Sequence, residues 1–236
     1  MKIAGIIGGT SWHSTVDMYR YINDETLRLA NMGYNKEEIA EQIRALKGIQ
    51  EMAAIYGFDQ NTPAGKAGVL VEAAKRLEAG GADFVVICSN GLHEYAPMIE
   101  RAVGIPLLHI ADSTADVITA AGKVRIGLMG VKETMERDFY KKRLTDRGIE
   151  VLIPDEAQRD FIEKVLWEET NFGIVNPESV RAFEAIARSL MDRGAQGVIL
   201  GCTEIGMLLK QENTDIPLFD TTIIHADAIA RRCMEE

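Results

Sequence analysis

Leu77-Glu78-Ala79-Gly80-Gly81-Ala82-Asp83-Phe84-Val85-Val86-Ile87-Cys88-Ser89-Asn90 lies in register over Leu190-Met191-Asp192-Arg193-Gly194-Ala195-Gln196-Gly197-Val198-Ile199-Leu200-Gly201-Cys202-Thr203. Each copy reads as a helix end, a turn built on Gly-Ala, an unbroken aliphatic run and a small polar group of residues. An aliphatic run bounded by turn residues, apolar at successive rather than alternate positions, is the pattern of a strand buried on both faces of a parallel sheet. The correspondence continues outward. Downstream, Gly104-Ile105-Pro106-Leu107-Leu108 matches Asp215-Ile216-Pro217-Leu218-Phe219. Upstream, Ile3-Ala4-Gly5-Ile6-Ile7-Gly8 resembles Arg125-Ile126-Gly127-Leu128-Met129-Gly130, and Tyr19-Arg20 resembles Tyr140-Lys141. Matches kept in one order along the chain indicate an internal duplication.

The pattern predicts strands over Lys2–Ile7, Phe84–Cys88, Pro106–Ile110, Val124–Gly130, Val151–Pro154, Gly197–Leu200 and Pro217–Asp220. Helical periodicity fits Ser14–Leu29, Ala64–Ala79, Ser113–Ala121, Glu133–Arg147, Ala157–Thr170 and Glu178–Arg193. Asn35–Tyr56 has the composition of a helix but a weak edge-strand alternation. The expected fold class is α/β: two similar lobes of mostly parallel sheet flanked by helices and related by a pseudo-two-fold. The expected lobes are residues 1–114 and 115–236, with a C-terminal helix over about 222–236 placed to pack back on the first. Ligands of open parallel sheets bind beyond the carboxyl ends of the strands, so the site is expected in the cleft between lobes, where Ser89 and Cys202 hold equivalent positions.

At 236 residues the chain can bury a substantial core. A formal charge of −10 argues against nucleic acid as a partner, since phosphate binding needs clustered Lys and Arg. Apolar runs fall short of the roughly 18 residues that a membrane helix needs, and the start reads as a first strand rather than a signal peptide, so the expected location is the cytoplasm. Three irregularly spaced cysteines suggest neither a disulfide framework nor structural zinc. No phosphate loop or carboxylate cluster points to a nucleotide or metal cofactor.

Cys202 follows a strand and precedes a stretch, Thr203–Lys210, that reads as a helix. A helix N-terminus lowers a thiol pKa and favours the thiolate. Cys88, the last residue of a buried strand, reads as core, and Cys233 as incidental. His93, four residues after Ser89, is placed one turn away as a possible proton relay if a helix starts near Asn90. His109 and His225 read as supporting or subunit-contact residues. Gly8-Gly9-Thr10-Ser11 follows the first strand, and its N–H groups and hydroxyls suit a carboxylate. It lacks the spacing of a dinucleotide fingerprint. Lys141-Lys142-Arg143 reads as a solvated helix face, and Arg20, Arg44 and Lys47 are candidate cations for a second substrate carboxylate.

Gly8-Gly9-Thr10-Ser11, Ser89-Asn90-Gly91-Leu92-His93 and Gly201-Cys202-Thr203-Glu204 together resemble the aspartate/glutamate racemase superfamily, in particular its aspartate racemase branch. Glu204, where glutamate racemases usually carry histidine, is similar to that branch. The resemblance implies a reaction without pyridoxal phosphate or metal, in which one thiolate removes the substrate's α-proton and an opposing thiol protonates the other face. The first motif normally reads Cys-Asn-Thr-x-His, and here Ser89 stands at the catalytic cysteine and Gly91 at the threonine. The resemblance therefore implies a racemase or epimerase of a small acidic amino acid, aspartate or glutamate. Cys202 is its main acid/base and Ser89 the weaker opposite-face partner, with His93 as a relay. Gly9, Thr10, Ser11, Asn90, Gly91, Thr203 and Glu204 are expected to bind substrate, and the expected assembly is a homodimer. The alternatives are a one-thiol decarboxylase or isomerase of a malonate-like acid, or an amino-acid-binding homologue without turnover.

Overall fold

The computed structural model describes residues 2–9, 12–31 and 63–235. The chain divides into two units, one comprising Met1–His109 with His225–Glu236 and the other Ile110–Ile224. The stretch Asn35–Tyr56, open between helix and edge strand in the sequence, lies outside the described residues, as do Arg44 and Lys47.

Unit 1 holds a three-stranded parallel sheet, β1 (Ala4–Ile7), β2 (Phe84–Ile87) and β3 (Leu107–Leu108), in the order β1-β2-β3. Every residue of β1 and β2 is buried. Side chains alternate across a strand, so the aliphatic run supplies two cores at once. Ala4, Ile6, Phe84, Val86 and Cys88 pack with Met18 and Ile22 of α1 (Trp12–Asn31) and with Ala226, Ile229 and Cys233 near the chain end. Ile7, Val85 and Ile87 pack on the other face against Leu70, Ala74 and Leu77 of α2 (Pro63–Ala79) and Ile99 of α3 (Ala96–Ala102). Each buried Val, Leu, Ile, Phe or Met among them contributes about 1.5–3 kcal/mol by leaving water. The C-terminal segment is pinned to the start of β1, where the Lys2 N–H donates to the Cys233 carbonyl at 2.8 Å.

Unit 2 holds a four-stranded parallel sheet of β4 (Arg125–Gly130), β5 (Glu150–Leu152), β6 (Val198–Gly201) and β7 (Leu218–Asp220), in the order β5-β4-β6-β7. One core joins Leu128, Ile199 and Phe219 of the sheet to Tyr140, Ile162, Phe183 and Leu190 of the surrounding helices. These helices are α4 (Ile110–Ala120), α5 (Lys132–Glu136), α6 (Asp138–Thr145), α7 (Glu156–Glu168) and α8 (Pro177–Asp192). Two of them have side-chain caps at their starts. Asp155 and Gln158 form a reciprocal capping box at α7, and Asn176 caps α8 with Pro177 in its first position. The last helix, α9 (Thr221–Met234), starts in unit 2 and ends in unit 1.

The predicted boundaries need three corrections. The strand expected over Pro106–Ile110 shrinks to Leu107–Leu108, because Ile110 already opens α4. The helix expected over Glu133–Arg147 is two helices, broken where Arg137 is extended (φ −81°, ψ 157°). Buried Met135 and Tyr140 stand five residues apart, off the three-to-four spacing of one helical face, so the buried positions shift face at the break. The helix expected over Thr203–Lys210 is a 3₁₀ turn, Thr203–Met207. Among the described residues no helix is long and apolar enough to cross a membrane.

Paired β4 and β6 end with glycine opposite glycine, Gly130 against Gly201. A Cβ on Gly130 would stand 2.8 Å from the Gly201 carbonyl oxygen, a backbone atom that cannot step aside. Gly130→Ala is therefore expected to cost about 1–3 kcal/mol, the range for an overpacked core. Denaturant unfolding measures it, and an unchanged midpoint would contradict this account of the pairing.

Candidate active site

In unit 1, β1 and β2 end together, Ile7 against Ile87. Cys88 extends the ladder by one bond, its N–H donating to the Ile7 carbonyl at 2.9 Å. Its side chain points into the core, where burial pushes the thiol up to about 12. Ser89, one residue on, is half-buried, and Asn90 is buried. From here the chain enters a 3₁₀ turn, Gly91–Tyr95, rather than the expected α-helix. The His93 Nδ1 stands 2.7 Å from the Ser89 carbonyl oxygen.

The glycine turn after β1 is tied to the helix that follows it. Gly9 has φ +93°, a conformation that favours glycine, and its N–H donates to the Thr15 hydroxyl at 2.9 Å. Gly8 is needed for the same contact, since a Cβ there would come within 2.5 Å of the Thr15 methyl. The Gly9 N–H expected to meet a ligand thus serves the first turn of α1. Thr10 and Ser11 lie outside the described residues. Arg20 is exposed, ion-paired to Asp17 at 3.1 Å and set 5.0 Å above the Tyr21 ring.

In unit 2, β6 delivers Cys202 in an extended conformation (φ −137°, ψ 134°) at the head of the turn Thr203–Met207. The Cys202 thiol donates to Glu204 Oε2 at 2.9 Å, and the Thr203 hydroxyl donates to the same oxygen at 2.8 Å. Glu204 is 6% exposed, and its other oxygen, Oε1, has no hydrogen-bond partner among the described residues. Glu204, expected on substrate, therefore faces the thiol. This arrangement reverses the expected charge state of Cys202. Its pKa is raised well above the ordinary thiol value, first by burial and then by the Glu204 carboxyl group. The turn that follows has five residues and is not an α-helix, so there is no aligned macrodipole to oppose the raise.

Sequence reading missed the residues that hold this end of the sheet. The Thr221 hydroxyl donates to the Leu200 carbonyl at 2.7 Å, tying the start of α9 to the last turn of β6. Asp220 accepts the Thr222 N–H at 2.9 Å, and Gly206 has no Cβ because one would stand 2.8 Å from an Asp220 oxygen. Glu163 of α7 accepts the Lys132 N–H at 2.8 Å and the Trp167 indole N–H at 2.8 Å. Its charge adds to the raise at Cys202. Asp220-Thr221-Thr222, just past a duplicated strand, was a usable signal; Glu163, mid-helix, offered none. Among the described residues no three His, Cys, Asp or Glu side chains are gathered as a metal site would require.

A thiol with a raised pKa is protonated at neutral pH, so Cys202 is expected to alkylate slowly at pH 7 and faster as pH rises. Glu204→Gln removes the second-largest cause of the raise, lowers the pKa, and is expected to speed alkylation several-fold at a fixed mildly alkaline pH. Cys88 and Cys233 are buried whereas Cys202 is half-buried, which leaves Cys202 as the labelled site in intact-mass measurements with iodoacetamide. An unchanged rate in the variant would contradict the Glu204 contribution.

The sequence profile described as Asp/Glu/hydantoin racemase matches residues 7–229. An Asp/Glu racemase-type protein of known structure from Yersinia pestis is 39% identical, with 100% of each chain covered and a TM-score of 0.79. An aspartate racemase homologue from Pyrococcus horikoshii is 28% identical over 100% of both chains, with a TM-score of 0.75. The broad specificity amino-acid racemase RacX of Bacillus subtilis is 26% identical over 65% of this chain and 66% of its own length, just under two thirds. The chain belongs to the Asp/Glu/hydantoin racemase family.

Proposed function

We propose that the protein is a racemase of a small acidic amino acid, aspartate or glutamate, working by proton transfer at the α-carbon without pyridoxal phosphate or metal. The observation that carries the reading is the Cys202 thiol donating to a buried carboxyl group at the carboxyl end of a parallel strand. Glu204 takes the thiol proton, and the thiolate removes the α-hydrogen. The C–H bond breaks, an S–H bond forms, and the electron pair moves into the substrate carboxylate. The Ser89 hydroxyl supplies a proton to the opposite face, and solvent restores it. Asn90, Gly91 and Thr203 hold the substrate. The same reading takes the active form to be a cytoplasmic homodimer.

A raised thiol pKa suits this step. It makes the thiolate scarce, but each thiolate formed is a stronger base toward a weakly acidic C–H bond. Serine is a far weaker base than a thiolate, so removal of hydrogen is fast from the enantiomer facing Cys202 and slow from the other. Ser89 also favours one rival, a decarboxylase of a malonate-like acid needing a single thiol to reprotonate one face.

The test is to incubate the protein with each enantiomer of aspartate and glutamate in D₂O and follow Cα by NMR. Deuterium wash-in without CO₂ release is expected, unequal for the two enantiomers, and unaffected by dialysis against chelator and hydroxylamine. Cys202→Ala is expected to lower it by about 10²–10⁴-fold, the usual worth of general acid–base catalysis. CO₂ release from a malonate-like acid without α-exchange of amino acids would move the protein to the rival class. Tight amino-acid binding with no exchange would leave a binding protein.

A further inference from the structure

Three of the chain's four histidines lie together in unit 1, each from a different element. His93 comes from the turn after β2, His109 from the residue after β3, and His225 from α9. Their exposures are 1%, 2% and 0%. The His93 ring centroid is 4.4 Å from that of His109, tilted by 55°, and 6.0 Å from that of His225, nearly edge-on at 77°. The Nδ1 of His93 stands 2.7 Å from the Ser89 carbonyl oxygen. A carbonyl oxygen only accepts, so Nδ1 must carry the proton and donate. The tautomer of His93 is thereby set by the serine's own backbone.

An imidazole ring turns broadly about its second side-chain torsion, and a half-turn would carry Nδ1 away from Ser89. His109 and His225 pack on the ring from two sides and remove that freedom. Burial and the neighbouring His93 hold the His225 pKa well below its ordinary value, so it faces the cluster as a neutral ring. His109 and His225 are also the residues at which the chain's two connections leave unit 1, to Ile110 and from Ile224. The cluster therefore gathers both connections onto the ring that holds Ser89.

We propose that His93 is a positioning residue: its Nδ1–H holds the Ser89 carbonyl, with His109 and His225 fixing its ring, and so sets the direction of the Ser89 hydroxyl at the substrate's α-carbon. The stereochemical consequence rests on the racemase reading; the hold on Ser89 does not. The role differs from a proton relay, because the ring acts on the main chain and exchanges no proton with the hydroxyl.

The test compares His93→Leu, which removes the donor, with His93→Asn, whose side-chain N–H can stand where Nδ1 stood. The readout is the ratio of α-proton exchange rates for the two enantiomers. His93→Leu is expected to lower exchange from the enantiomer facing Ser89 by roughly 10-fold to 10²-fold, the cost of about 1 Å of misplacement, and to change the other less than about twofold on the same scale. His93→Asn is expected to restore most of the loss. Equal losses for both enantiomers, or no rescue by Asn, overturn the proposal. Long-range ¹H–¹⁵N correlation on the unmodified protein needs no variant to fold, and the Nδ1–H tautomer at His93 is expected. An Nε2–H tautomer overturns the hold on Ser89, whereas absence of exchange in the unmodified protein overturns the racemase reading instead.

Discussion

A parallel strand buried on both faces can show a functional side chain only beyond its last paired residue. Within these strands the side chains are buried and the backbone pairs with the neighbouring strand, as with Ala4–Ile7 against Phe84–Ile87 and Gly127–Gly130 against Val198–Gly201. At the carboxyl end the ladder stops and the chain must turn. Ser89 and Cys202 stand there, at equivalent places in two copies of one unit. The offset of a single residue decides their roles. Cys88 lies in the core with its thiol proton held by burial, while Ser89 is half-buried at the strand's end.

The two strand ends differ in what meets the polar side chain. At Cys202 a carboxyl group from two residues further on turns back and accepts both the thiol and the Thr203 hydroxyl. A short 3₁₀ turn makes this possible, since it brings the Glu204 side chain back over Cys202. A full α-helix would have offered its N-terminal N–H groups and favoured the thiolate. This turn offers an acceptor for the thiol proton and makes the thiol a weak acid. At Ser89 the polar partner acts on the backbone instead, through a buried histidine. At one end a carboxyl group meets the side chain, at the other an imidazole meets the main chain.

Most of the sheet was legible in sequence because continuous aliphatic runs admit few interpretations, and the duplication supplied the register between copies. The strand ends were legible for the same reason: Gly201-Cys202 and Cys88-Ser89 could be counted from the aliphatic runs. Hydrogen-bond partners were not legible. Glu204 looked like a ligand-facing carboxylate, and only its side-chain direction turns it onto Cys202. The Gly9 N–H looked available, and it is taken by Thr15 from the next helix, a contact between residues six apart. Arg137 breaks the stretch between Met135 and Tyr140, where buried positions slip to a five-residue step, a single irregularity easily passed over in a run of helical composition. Glu163 and Thr221 hold this end of the sheet through side-chain hydrogen bonds that leave no periodic trace.

The central claim is that Cys202 rests as a thiol hydrogen-bonded to Glu204, and its S–H stretch in the infrared, a region with little other protein absorption, reports this directly. The difference spectrum between the unmodified protein and Cys202→Ala isolates this thiol from Cys88 and Cys233. A band displaced as for a hydrogen-bonded S–H at neutral pH, moving when Glu204 is replaced by Gln, is the expected result. No Cys202 band at neutral pH, with the ultraviolet absorbance of a thiolate in its place, would contradict the account.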